Sequence, residues 1–518
     1  MYPEEIFDKL YKKHIDESIR IAFIAAVIIG LFAHGYMLAN KLPNYDDIKC
    51  MVNDYGTGIE SGRWMLFVMG NIVRKTIGNY SLPWFNGIIS ICVISVTACI
   101  ITRIFDIKDK ILCALTGAVV ASFPALTGIL FFMYTSIYYC ISILMCVSAV
   151  YFVKKYKWGL IIGALLLAAS IGIYQAYVSI GTALLVLVLI KECLNENEDW
   201  KNIIIMAFRF LLMLIAALVV YLICMKLFVF IKGTQLLDYQ GINDMGKVNI
   251  SDIPRLIKSA YADYARLLYS DMYGVNAYFV IKAGIILLHI ISISFIVGVI
   301  SKKQKAVAVE TLLLLLLFPL AVNIIYIMAP DSYKYSIMMY SVIAVYLMAI
   351  MLMQCERAKS LSNRAIGQAL QWTGTIALTL IIVFQCQFNN VQYIAMTMQY
   401  EQAYSYMTTL VTNIKGTEGY NTSMDVIFIG GEFEDPAFYR NDEFADYNFG
   451  GRSQDLVNIY SRNDFLKRYL GFKQNIVEET DVSDLWKDKE EVKKMPCYPD
   501  DGSVKVVDHA VVVKLQAD

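Results

Sequence analysis

"IAFIAAVIIGLFAHGYMLANKLPNYDD", Ile21 to Asp47, carries one long apolar run straight into a proline and two adjacent carboxylates. A run of about 20 apolar residues is what an α-helix needs to cross a bilayer. Pro43 ends that helix, and Asp46 and Asp47 fall where it leaves the membrane. A charged side chain at mid-membrane costs at least about 2.5–3.5 kcal/mol, so the pair belongs at the water boundary or in a polar cavity. Placed there, it can meet a soluble molecule and a lipid head group together. The apolar core is too long for a cleavable leader and no small-residue cleavage site precedes Pro43, so the segment is expected to remain as a span.

Working outward, the same pattern recurs along the chain. Of 518 residues, 58% are hydrophobic and 17% charged, and the mean hydropathy is +0.52. Spans are predicted near residues 19–40, 82–104, 110–132, 134–153, 157–173, 174–191, 203–231, 277–300, 306–329, 333–354 and 370–388. The expected fold class is therefore mainly α, a polytopic membrane bundle of about eleven transmembrane helices. Net charge is zero and no extended basic tract occurs, which argues against nucleic-acid binding. The four histidines contain no HExxH and the eleven cysteines no CxxC, so neither a zinc site nor a disulfide framework is expected. Most of those cysteines lie inside apolar runs and read as small packing residues; Cys50 and Cys497 are the exceptions.

Lysine and arginine orient the chain. With the N-terminus cytoplasmic, the short inner loops carry Lys9, Lys12, Lys13 and Arg20, then Arg103, Lys108 and Lys110, then Lys154, Lys155 and Lys157, then Lys302, Lys303 and Lys305, then Arg357, Lys359 and Arg364. The loops opposite, around 125–133 and 172–174, have none, as the positive-inside rule requires. Residues 41–81, residues 232–276 and everything after about 388 then lie outside. This gives a membrane domain over 1–388 with outer loops 41–81 and 232–276, and a soluble extracytoplasmic domain over 389–518. In that tail "MDVIFIGG", Met424 to Gly431, reads as a buried strand ending in a glycine turn, and "HAVVVKL", His509 to Leu515, as a second strand. A small α/β fold is expected. The double glycine lacks a Walker lysine or GxGxxG, so a plain strand-end turn is the better reading.

In the first outer loop, "ESGRWMLFVMGNIVRKTIG", from Glu60, reads as an interfacial amphipathic helix with Trp64 and Phe67 toward lipid and Arg63, Arg74 and Lys75 toward head groups. "DIPRLIKSAYADYARLLYSDMYG", Asp252 to Gly274, places Arg255, Lys258 and Arg266 among apolar and tyrosine positions at helical spacing. "APDSYKYS" sets Asp331, Tyr333, Lys334 and Tyr335 between two spans, where the lysine either snorkels or holds a phosphate. "IYQAYVS" puts Tyr174, Gln175 and Tyr177 near the outer end of a helix pair. A glutamine in hydrocarbon needs a partner and should face the bundle interior, for helix-to-helix hydrogen bonding or contact with a sugar hydroxyl. In the tail, Phe438, Tyr439, Tyr447 and Phe449 beside Asp435 and Asp442 suit either carbohydrate contact or an ordinary core.

An acidic pair after the first span, "GRW" in the same loop, "FP" at Phe123 and Pro124, "YQAY" in the middle and a soluble tail together resemble the polytopic O-antigen-type glucosyltransferases. That resemblance implies the GT-C class, a donor sugar carried on polyprenyl phosphate, usually glucose, and transfer to an envelope polysaccharide or glycolipid outside the bacterial cytoplasmic membrane. It implies no cofactor, with Mg²⁺ or Mn²⁺ at the paired carboxylates as the variant to consider. Where that family leads one to expect an arginine in the last outer loop, this chain has Lys334.

The chemistry is consistent with these expectations. A polyprenyl phosphate is a good leaving group, so one carboxylate base, Asp46 or Asp47, is sufficient to deprotonate the acceptor hydroxyl as it attacks the anomeric carbon with inversion. Arg63, Arg266 and Lys334 are the candidate partners of the departing phosphate, and Tyr174, Gln175 and Tyr333 the candidate substrate contacts. Three rivals stand beside this reading: a flippase or transporter, which should show broken helices or charges at mid-membrane; a polymerase rich in outer-loop arginines; and a noncatalytic scaffold.

Overall fold

A computed structural model describes residues 2–5, 15–56, 58–195, 199–237, 250–270, 278–301, 303–330, 334–355, 364–430, 456–477 and 486–516. Tyr333, Asp331 and the aromatic and acidic residues at 435–449 singled out above lie outside these described residues. The chain divides into two compact units, a bundle of residues 1–40 with 53–390 and a smaller unit of residues 41–52 with 391–518.

The bundle is a polytopic helical membrane fold. Among the described residues nine helices are long and apolar enough to span a bilayer, and a tenth is formed if Lys110–Ser122 and Pro124–Leu130 count as one bent span. The helix Gly159–Ile173 has 15 residues and falls short of the rest, which accounts for the eleventh expected span. Starts are dictated locally. Asp16 accepts from Ile19 N at 3.0 Å and opens Glu17–Ala39, Pro83 occupies the first turn of Pro83–Ile104, and Asp109 accepts from Ile111 N and Leu112 N to open Lys110–Ser122.

At one end of the bundle the helix termini are joined by charge. Arg103 pairs with Asp16 at 3.1 Å, Lys110 with Glu17 at 2.7 Å, Lys191 with Asp106 at 2.5 Å and Lys154 with Glu192 at 3.4 Å.

Pro124 breaks the bundle's third long helix with a bend of 43°. It offers no N–H, so the carbonyls just before it need other donors. They find them on three separate helical segments: Tyr340 Oη donates to Val120 O at 2.6 Å, His34 Nε2 lies 2.9 Å from Ala121 O, and Asn389 Nδ2 donates to Ser122 O at 2.8 Å. Each of these three side chains is buried. The bend is thus stabilised by contacts far away in sequence.

The smaller unit holds a four-stranded sheet in the order β2-β1-β4-β3, with β1 Val426–Ile429, β2 Ile476–Val477, β3 Val504–Val507 and β4 Ala510–Lys514. β1 runs parallel to β2 and β4, and β3 antiparallel to β4. Both sequence-predicted strands are present, and Gly430 ends β1 at φ +89°. Because the strand Val426–Ile429 is apolar at every position, both its faces are covered. Val426 and Phe428 pack with Met407, Leu410 and Phe465, while Ile427 and Ile429 pack with Val492 and Met495.

Candidate functional site

The described side chains singled out from the sequence fall into two sets, one in each unit. In the bundle, residues 59–61 form a 3-10 turn closed by Gly62 at φ +71°, and Trp64–Thr76 follows as a helix. Gly62 fits because any Cβ there would lie 2.7 Å from Tyr221 Oη and 3.1 Å from Gln175 Nε2. That contact ties the "GRW" turn to the "YQAY" segment: Gln175 Nε2 donates to Ser61 O at 2.7 Å and to Tyr221 Oη at 3.3 Å. The Arg63 guanidinium lies over the Tyr174 ring at 4.9 Å. Gln175 is buried and faces the bundle interior, as its chemistry demands.

Tyr174 belongs to a tyrosine cluster, with its ring centroid 4.9 Å from Tyr139 and 5.0 Å from Tyr177. Arg63 therefore stands at the edge of an aromatic group, a setting in which a guanidinium keeps its planar donors ordered for an anion. The helix after it begins with a half-buried tryptophan that packs on the bundle. Trp64 stacks on Phe228 at 5.9 Å and presses against Gly172, where a Cβ would come within 2.6 Å of the indole. The absence of a Cβ at Gly172 leaves the space that the indole occupies. Tyr221 and Tyr139 were not legible as site residues, since a tyrosine inside an apolar run reads as core.

The other two cations singled out from the sequence, Arg266 and Lys334, are each engaged locally. Arg266, on the helix Ile253–Tyr269, pairs with Asp263 at 2.8 Å while its own side chain stays half-exposed. Lys334 is buried and donates to Ala329 O at 2.8 Å and Pro330 O at 2.7 Å.

In the smaller unit Asn44 caps a six-residue helix, Tyr45–Cys50, by accepting from Asp47 N at 2.7 Å. Asp46 and Asp47 occupy its first turn, where carboxylates suit the positive end of the helix dipole. Their environments differ. Asp47 is fully buried, whereas Asp46 is half-buried. Burial, and next the nearby Asp47 charge, push the Tyr469 phenol well above its ordinary pKa. Among the described residues no three His, Cys, Asp or Glu side chains gather as a metal site would need.

Taken by itself, the bundle defines a multi-pass membrane protein whose broken helices bring an arginine-bearing loop onto a buried glutamine and a tyrosine cluster. The chain belongs to the glucosyltransferase family described as Glucosyl transferase GtrII, whose model matches residues 35–352. No curated protein and no solved structure matches it. The matched residues include the acidic turn, the "GRW" turn and the "YQAY" segment, so the protein is a membrane glucosyltransferase, acting between a sugar donor and an acceptor.

Proposed function

We propose that this enzyme transfers glucose from a polyprenyl-phosphate carrier to an envelope glycan on the outer side of the bacterial cytoplasmic membrane, in the manner of GT-C enzymes. The observation that carries the reading is the junction of two sequence-distant motifs, with Arg63 on Tyr174 and Gln175 holding the Ser61 carbonyl. A guanidinium can meet a phosphate with two parallel hydrogen bonds, which suits a lipid monophosphate both before and after the sugar leaves. Arg63 leads among the three cations because it lies at that junction, over the Tyr174 ring. Tyr174, Gln175 and Tyr333 are proposed to contact the sugar.

For the base, Asp46 is preferred over Asp47. A general base must reach the proton it removes, and the fully buried carboxylate cannot do so where it lies. Asp46 would take the acceptor hydroxyl's proton as the oxygen bonds to the anomeric carbon and the phosphate departs, with inversion. A monophosphate donor lacks the diphosphate that usually recruits Mg²⁺ or Mn²⁺, so the step is written without a metal. The outward orientation rests on the lysines and arginines that join one end of the bundle, which would face the cytoplasm.

A transporter would share the broken helices at Phe123–Pro124 and Tyr174–Tyr177, but it would have no use for family membership in glucosyl transfer. The decisive experiment supplies washed membranes either with polyprenyl-phosphate glucose or with UDP-glucose, each radiolabelled. Transfer from the lipid donor alone is expected; transfer from the nucleotide sugar with no lipid intermediate would overturn the proposal.

A further inference from the structure

The helix that bears the acidic pair is built into the sheet domain by side chains lying more than 400 residues later. Arg468 Nη1 donates to the carbonyls of Ile48 and Lys49, at 2.9 Å each, and its Nη2 is steadied by Asp464 at 3.1 Å. These are carbonyls from the last turn of a six-residue helix, which such a helix cannot satisfy internally. Ile48 is fully buried in one core with Met407, Leu410 and Phe465. Lys41 sits over the Tyr469 ring at 4.2 Å and Lys49 over the Tyr460 ring at 3.8 Å. Tyr469 in turn stacks on Phe465, centroids 4.9 Å apart with the planes 6° from parallel. Six residues do not hold a helix in water unaided. Here the tail supplies the end cap, the apolar seat and the flanking rings. All of it comes from beyond residue 352, where the family match ends.

We propose that Arg468 and Tyr469 are positioning residues for the acidic pair: they hold the Tyr45–Cys50 helix so that Asp46 keeps one orientation, which makes the sheet domain part of the transferase machinery. The proposal rests on the assignment of Asp46 as base. Two features separate ring from hydroxyl in this role. The Tyr469 ring makes the contacts, while its Oη has no hydrogen-bond partner among the described residues.

Cys50, a buried thiol at the end of the helix, reports docking without any reference to activity. In the full-length protein in membranes, maleimide labelling of Cys50 is followed by peptide mass mapping, beside glucose transfer from polyprenyl-phosphate glucose. Arg468→Ala and Tyr469→Ala are expected to speed Cys50 labelling by at least about tenfold through local opening. They should also lower kcat by about tenfold or more with the donor KM changed less than about twofold, the mark of a displaced base rather than lost donor binding. Tyr469→Phe should restore both readouts, and Arg468→Lys should restore them in part, because a lysine can reach one carbonyl but not both. Unchanged Cys50 labelling in both alanine variants overturns the proposal, and so does fast labelling with undiminished kcat. A fully active Asp46→Asn would instead remove the base assignment and leave the labelling result standing, so the two failures are distinguishable.

Discussion

The acidic turn at 44–50 and the glycine–arginine turn at 58–64 lie fourteen residues apart in the chain yet are stabilised in different ways. The first is opened by a side-chain cap, Asn44, and closed by an arginine from the distant tail. The second is closed by its own left-handed glycine and pinned by Gln175 from the bundle. Each turn is short, and neither contains enough local hydrogen bonds to persist alone. What differs is the source of the missing partners: the small sheet domain for one, the helices of the bundle for the other. Short turns thus depend on whatever satisfies their ends, and proximity in sequence says little about which neighbours will do it.

That contrast can be broken most sharply at the carboxylates. Asp46→Asn should lower kcat by about 10²–10⁴-fold, since a positioned base contributes on that order, while Cys50 stays protected. Asp47→Asn should instead reveal itself by loosening Cys50, because the buried carboxylate is part of the turn's packing. The reverse pattern would transfer the base to Asp47, and two fully active variants would reject both. Next in size is Gly62→Ala. A left-handed backbone costs a non-glycine residue about 1–2 kcal/mol, and the new Cβ would crowd Tyr221 and Gln175. Lower thermal stability and weaker use of the lipid donor are expected. A variant as stable and active as the parent would show that the turn is not clamped.

The smallest effect is at the edge of the sheet domain. Hydrogen bonding to Lys489, and then its charge, hold the exposed Asp508 carboxyl below the ordinary aspartate value. A depressed carboxylate contributes stability above its unfolded pKa and loses it as pH falls through the lower folded one. Asp508→Asn should therefore slightly lower stability near neutrality and leave it unchanged in strong acid, so that less stability is lost on acidification below about pH 4, as read by acid titration of sheet-domain unfolding. An unaltered acid limb would remove the pair from the domain's pH response.

Much of the fold was legible in advance for a simple reason. Membrane spans, strands and caps are local, and apolar run length, Pro83, Asp109 and the all-apolar "VIFI" strand act over a few residues each. The motif order was legible too, and the family match covers it. Less legible were the partners. Nothing near Trp64 in sequence announces that Gly172 and Phe228 will receive it, and nothing near Pro124 announces that Tyr340, His34 and Asn389 will cap the carbonyls before it.

Composition and periodicity alone determined that this chain is a polytopic helical membrane protein with a small sheet in its tail, because burying apolar surface and satisfying backbone hydrogen bonds leave few other solutions. Only tertiary structure decided that Asp47 is sealed while Asp46 is not, that Gln175 holds the "GRW" turn, and that residues 41–52 belong with the sheet domain. Those outcomes depend on which distant donors and rings come into reach, and reach is a property of the folded chain that no local pattern encodes.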